Sequence, residues 1–140
     1  MTQTRILWPI TAFFGAGMSV LGMLSWWQGA LGLELALYVG VGVLLWSLAE
    51  YGIHRFVNHS AAGPARINWD DHDYHHRCPE DLDEFVYQLR FSGPVGVSLG
   101  VMGWLVAPAE GVGLGVVAGI WLGYLLYEWV HLFAHLPREA

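Results

Sequence analysis

Charged residues and cysteine are scarce in this sequence of 140 residues. Only 13% of the residues are charged, lysine is absent, and Cys78 is the single cysteine. One thiol cannot form an internal disulfide, which excludes a disulfide-stabilised fold and fits a reducing compartment. The net charge is −6, so the chain has no basic surface of the kind that binds DNA or RNA, and we expect no nucleic-acid partner.

Long uncharged stretches indicate membrane-spanning helices, because a helix needs about 20 apolar residues to cross the hydrocarbon core. Between Arg5 and Glu34, for example, no residue is charged. Four uncharged stretches, extended where glutamates can lie near the interfaces, predict spans at about 6–27, 30–51, 91–109 and 111–133. The sequence therefore predicts an all-α membrane protein in which residues 1–140 form one domain of four transmembrane helices.

The arginines predict the orientation of these spans, since basic residues near span ends stay on the cytoplasmic side. They lie in the two tails and in the central loop 52–90, at Arg5, Arg55, Arg66, Arg77, Arg90 and Arg138. We therefore expect an integral membrane protein with both termini cytoplasmic. The central loop would form a histidine-rich helical cap in the cytosol.

Glycines recur every four residues on the third and fourth predicted spans. They are Gly96 and Gly100, followed by Gly111, Gly115, Gly119 and Gly123. Small residues at this spacing form a ridge on one helix face where a neighbouring helix can approach closely. The pattern predicts tight helix packing.

All seven histidines fall in three clusters: His54 and His59; His72, His75 and His76; His131 and His135. Imidazole is a common ligand of Fe, Zn, Cu and Ni, and several imidazoles without a cysteine partner are typical of a polynuclear or redox-active metal site. All three clusters lie on the predicted cytoplasmic side. They can therefore contribute to one site.

Helix geometry supports the second and third clusters as ligand groups. His72, His75 and His76 are related by i, i+3 and i+4 on a helix, and His131 and His135 by i, i+4, so each group shares a face. His54 and His59 would diverge by about 140° on one α-helix. We expect that helix to end or bend between them.

Two glutamates lie one turn before histidines at the ends of spans, Glu50 before His54 and Glu128 before His131. A carboxylate at a membrane boundary is costly unless it is paired. Accepting a ring N–H from a metal-bound histidine would pair it and fix the ring. We predict this supporting role for both.

The strings EYGIHRFVNH, HDYHH and YEWVHLFAH resemble the first three histidine boxes (H-x4-H, H-x2-H-H and H-x3-H) of the fatty acid hydroxylase and sterol desaturase superfamily. The resemblance covers residues 50–135. It implies a four-helix membrane scaffold with a cytosolic dimetal site that activates O2 and oxidises a C–H bond of a lipid. All seven histidines would be ligands of two irons, for which zinc can substitute.

The chain has no dinucleotide fingerprint, haem-attachment motif or iron–sulfur cysteine set. A hydroxylase of this kind would therefore need an external electron donor of the ferredoxin or cytochrome b5 type. The sequence leaves the lipid open among fatty acids, sphingolipids, sterols and carotenoids. It also leaves hydroxylation and desaturation open, because both begin with the same hydrogen abstraction.

The family's fourth box, a second H-x2-H-H, does not occur after His135 in this sequence. We therefore expect the domain to be C-terminally incomplete, and the 140-residue chain to hold fewer than two metals and not to hydroxylate lipid by itself. Extension with such a box should restore the second metal. Metal analysis of the two forms would check this.

Two other classes remain open from the residues alone. A non-enzymatic metal-binding or metal-transporting membrane protein would also cluster histidines, although transport predicts charged residues in mid-membrane. A b-type haem protein needs only two facing histidines, for instance His54 and His131. That interpretation leaves the cluster around His75 unexplained.

Overall fold

The computed structural model describes residues 3–30, 32–59, 74, 76–79, 81, 83–106 and 111–136. Every regular element within these ranges is helical, which confirms the predicted all-α class. After a 3₁₀ turn, Gln3–Leu7, the long helices are α1 (Trp8–Trp27), α2 (Leu33–Ile53), α3 (Asp83–Val106) and α4 (Val112–His135). A π-helical turn, His54–Asn58, extends α2.

Three segments of the described chain are long and apolar enough to cross a membrane: Arg5–Trp27, Leu33–Phe56 and Val112–His135. They correspond to the predicted spans 6–27, 30–51 and 111–133, although the second begins and ends later than predicted. The apolar part of α3 that the structure describes is Gly93–Leu105, shorter than the roughly 20 residues that a span needs. The end of the predicted span 91–109 lies outside the described residues, so this span stays a prediction.

Helix α4 is the central helix of the molecule and contacts each of the other three. Its buried side chains, such as Leu114, Leu125 and Leu132, form much of the apolar core. On α2, by contrast, Gly42 is the one buried residue, and large apolar side chains such as Leu44 are exposed. This exposed apolar surface is what a lipid-facing helix presents.

Helices α2 and α4 pack along the predicted glycine ridge. Gly115 lies against Tyr38, Gly119 against Gly42, and Gly123 against Trp46. A Cβ on Gly119 would meet the Val39 carbonyl oxygen and lie 2.8 Å from the Gly42 Cα, so the two backbones touch. This confirms the packing role of the ridge. Because each turn of α2 matches one turn of α4, the helices run parallel and their C-terminal ends lie together.

An aromatic side chain of α4 packs against a glycine of α3. Trp121 is nearly buried and lies against Gly17 of α1 and Gly100 of α3. Its ring meets Phe14 edge to face, with centroids 5.3 Å apart, and a Cβ on Gly96 would strike the Phe14 ring. The predicted packing role of Gly96 and Gly100 is confirmed, with an aromatic ring filling the space that their missing side chains leave.

A hydrogen bond joins the start of α1 to the end of α4. The Trp129 indole N–H donates to the Thr11 hydroxyl at 3.0 Å, and Leu7 and Leu132 are fully buried in the same core. The beginning of α1 therefore lies at the same end of the molecule as the C-terminal ends of α2 and α4. All described histidines of these helices are at that end.

Candidate metal centre

The first two histidines meet because α2 ends in a π turn. The backbone N–H of His59 donates to the His54 carbonyl at 3.2 Å, the i→i+5 bond of a π-helix. This wider turn brings residue 59 above residue 54, whereas an α-helix would set the two side chains about 140° apart. Their Nε2 atoms are 3.1 Å apart. We predicted that the helix ends or bends between His54 and His59. In the structure the α-helix changes there into a π-helix.

His76 joins these two residues from the central loop. Its ring centroid lies 5.1 Å from that of His59 and 5.8 Å from that of His54. Each of the three residues offers one nitrogen, and these nitrogens all lie within 4.8 Å of one another. Two nitrogens bound at about 2.1 Å to one metal lie at most about 4.2 Å apart. The histidine trio, His54, His59 and His76, therefore fits one metal ion after a small inward movement.

His131 and His135 form a second group, the histidine pair, at the end of α4. They are one helical turn apart, and their ring centroids are separated by 4.7 Å. This spacing confirms that the two rings share a face. The remaining predicted ligands, His72 and His75, lie outside the described residues.

An open groove of about 630 Å³ connects the two histidine groups. Helices α2 and α4 form its walls, and the lining is mostly apolar below the histidines. The lining residues are Val43, Trp46, Ser47, Glu50, His54, His76, Gly123, Leu126, Tyr127, Val130, His131, Ala134 and His135. Imidazoles of both histidine groups therefore lie at one end of this mostly apolar groove.

Hydrogen bonds hold the short turn that carries His76. The Cys78 N–H donates to the Tyr74 carbonyl at 2.8 Å, and the Asp81 N–H donates to the Cys78 carbonyl at 3.0 Å. The Tyr74 hydroxyl donates to the Asp81 carboxylate at 3.0 Å. This hydrogen bond, with the negative charges nearby, raises the pKa of Tyr74 to about 12. The phenol O–H thus joins the two ends of the turn, Tyr74 and Asp81.

Tyr127 is a site residue that the sequence analysis missed. Its ring lies 5.3 Å from that of His131, and it lines the groove together with Glu50. The Glu50 Oε1 atom lies 3.8 Å from the His54 Nδ1 atom. Tyr127 precedes His131 by four residues, as Glu50 precedes His54, and this shared spacing was the signal available in the sequence.

Glu128 points away from the groove and into the helix core. Its side chain is only 3% exposed, and it is not among the residues that line the groove. A step of one residue on a helix rotates the side chain by about 100°, which separates Glu128 from the groove-lining Tyr127. The predicted support of His131 by Glu128 stays a prediction.

Comparison with known proteins identifies the family of the chain. Over 106 residues it is 37% identical to the fatty acid 2-hydroxylases of Macaca fascicularis and Homo sapiens, covering 68% of this chain and 27% of each relative. The chain belongs to the fatty acid hydroxylase superfamily. It is also 31% identical over 112 residues to the dihydroceramide fatty acyl 2-hydroxylase FAH2 of Arabidopsis thaliana, covering 76% of this chain and 46% of that relative. No family model and no solved structure matches it.

The chain spans about a quarter to about half of the length of these curated relatives. Membership of the fatty acid hydroxylase superfamily, a family of membrane oxidoreductases, confirms the family predicted from the histidine boxes. This membership favours an enzyme over the metal-transporting membrane protein that the residues alone left open.

Proposed function

We propose that the chain forms the membrane core of a dimetal lipid hydroxylase that oxidises a C–H bond of a fatty acyl chain. The observation that carries this proposal is the histidine trio, whose nitrogens lie within 4.8 Å of one another at the end of an apolar groove. The ligands would be His54, His59, His72, His75, His76, His131 and His135. An all-nitrogen donor set suits iron, and two irons are the expected cofactor.

The bound metal would supply the activation of O2, which is the co-substrate. In the overall reaction a C–H bond of the lipid breaks and a C–O bond forms at the same carbon. The second oxygen atom of O2 takes up two electrons and two protons and leaves as water. The chain has no electron carrier motif of its own, so we propose an external donor of the ferredoxin or cytochrome b5 type.

The groove supports a fatty acyl chain as the substrate. It extends along α2 from Val43 to His54, about 16 Å at a rise of about 1.5 Å per residue. Gly123 and Trp46 pack against each other and both line the groove. A mostly apolar groove with its ionisable side chains at one end can orient a long alkyl chain with one segment at the metal.

Lipid mass spectrometry tests this function. Cells that carry a full-length form of this sequence, with a second H-x2-H-H box after His135, should contain fatty acyl lipids heavier by one oxygen atom than those of cells that lack it. Replacement of His54 by alanine in the same gene should abolish the difference. Loss of two hydrogens instead of the gain of oxygen would assign a desaturase, and an unchanged lipid profile would contradict a lipid-oxidising function.

We further propose that residues 1–140 form one domain with four spans, in which the loop 52–90 binds metal as a cytosolic cap and both termini are cytoplasmic. Two features support it. The start of α1 lies beside the ends of α2 and α4, through the Thr11 to Trp129 hydrogen bond. Helix α3 runs antiparallel to α4, since Gly100 contacts Trp121 while Gly103, further along α3, contacts Val117, earlier on α4.

Cys78 offers a direct measurement of the orientation, because it is the only thiol in the chain and is partly exposed. A membrane-impermeant maleimide should label it in inside-out vesicles and leave it unlabelled in intact cells. The Cys78→Ser variant provides the background. Labelling in intact cells would reverse the proposed orientation and move the histidine groups to the other side of the membrane.

A further inference from the structure

One face of α2 carries a stripe of exposed side chains that ends in an arginine. Its members recur every three or four residues, which is the spacing of one helix face. They are Leu37, Val41, Leu44, Leu48, Tyr51 and Arg55. The first five are 47–61% exposed, and Arg55 is exposed too. Gly42, which packs on α4, lies about 160° around the helix from Leu44, so this α2 stripe faces away from α4.

Two aromatic rings hold the Arg55 guanidinium at the end of the α2 stripe. Its central carbon lies 5.9 Å from the centroid of the Tyr51 ring and 5.7 Å from that of the Phe56 ring. Both distances are within the range of a cation–π attraction. Within the described part of the chain, Arg55 forms no ion pair with a carboxylate. Its N–H groups can therefore bind an anion from outside the chain.

The α2 stripe matches the depth of one lipid leaflet. Arg55 lies in the last turn of the apolar segment Leu33–Phe56, where tyrosine and arginine lie at the level of the lipid headgroups. Leu44 lies about 16 Å deeper, at a rise of about 1.5 Å per residue. Half of a hydrocarbon core of about 30 Å is about 15 Å. An acyl chain whose phosphate is bound at Arg55 would therefore end near Leu44.

We propose that the α2 stripe binds one anionic phospholipid from the leaflet on the histidine side. Arg55 donates paired hydrogen bonds to the phosphate oxygens, which its planar fork of N–H groups matches. One acyl chain lies along Leu48 and Leu44. The inference requires that α2 spans the membrane, and it is independent of the proposed metal site. The lipid is also separate from the substrate groove, because no member of the stripe lines that groove.

Charge decides between a lipid and a second copy of the chain as the occupant. Apolar residues at this spacing could also pair two α2 helices. Two copies in one membrane share an orientation, so their α2 helices would run parallel and set two Arg55 guanidinium groups beside each other. Like charges at such a contact repel, whereas a phosphate neutralises Arg55. The α2 stripe therefore fits an anionic lipid better than a second α2.

Native mass spectrometry of the purified chain in mixed micelles tests the inference, with phosphatidylglycerol as the anionic lipid and phosphatidylcholine as the net-neutral one. The unmodified chain should retain one phosphatidylglycerol in preference to phosphatidylcholine. Arg55→Gln should weaken phosphatidylglycerol binding by about 10-fold, the lower end for a hydrogen bond to a charged group. Arg55→Lys should recover only part of the affinity, because lysine lacks the planar fork. Tyr51→Ala removes one of the two rings and should weaken binding by about 3-fold.

Arg5→Gln is the matched control, because Arg5 is also exposed but precedes α1, which packs on α4. It should bind phosphatidylglycerol like the unmodified chain. Equal retention of the two lipids by the unmodified chain would overturn the inference, as would an equal loss of binding in Arg5→Gln and Arg55→Gln. Displacement of the lipid by excess inorganic phosphate would overturn it too, because the apolar stripe would then contribute nothing. Lipid-free dimers of the unmodified chain would assign the α2 stripe to a second copy instead.

Discussion

His76→Ala should reduce the metal affinity of the chain more than about 100-fold. The side chain is one of three imidazoles whose nitrogens lie within 4.8 Å of one another. Even groups that only support a ligand contribute 10–100-fold to affinity, so loss of a ligand itself costs more. We expect the same loss from His54→Ala, although the two residues come from different segments. Metal content after purification, measured by mass spectrometry, gives the result.

Arg77→Ala is the control, because Arg77 follows His76 on the same turn and its side chain is exposed. It should retain the metal. The companion variants His131→Ala and His135→Ala should lower metal content too, since the pair lines the same groove as His54 and His76. If they leave the metal content untouched, the trio and the pair do not share a centre and the dimetal proposal fails.

Gly119→Ala should disrupt the packing of α2 on α4 and lower the free energy of unfolding by about 3 kcal/mol, the upper end of what overpacking usually costs. The new Cβ would collide with the carbonyl oxygen of Val39 and with the Cα of Gly42. These are backbone atoms, which cannot change rotamer to make room. Metal binding should weaken as well, because this contact sets the position of the histidine pair. Unfolding followed by circular dichroism in detergent measures the stability.

Gly40→Ala is the matched control for this change. It adds the same methyl group to a glycine of α2 that has no neighbour within 4 Å of the new atom. Its stability should equal or slightly exceed that of the unmodified chain, because alanine favours the helix over glycine. Equal stability of Gly119→Ala and Gly40→Ala would mean that the backbones of α2 and α4 do not pack closely at this point.

Much of the fold could be predicted from local pattern. Uncharged stretches predicted the three apolar helices, since the cost of burying charge in lipid acts on each residue separately. The four-residue spacing of Gly115 and Gly119 predicted a packing face, because that spacing follows from helix geometry. The fourth predicted span, 91–109, stays a prediction, because its end lies outside the described residues.

The sequence by itself determined the helical class, the apolar helices and the residues available to bind metal. These follow from residue chemistry and from spacing along one helix. Tertiary structure alone decided which of these residues meet. His76 joins His54 and His59 from the central loop, and the packing of Gly119 on Gly42 brings Tyr127 and Glu50 to the same groove. Such pairings depend on the relative placement of segments far apart in the chain, which many long-range contacts fix together and no local pattern encodes.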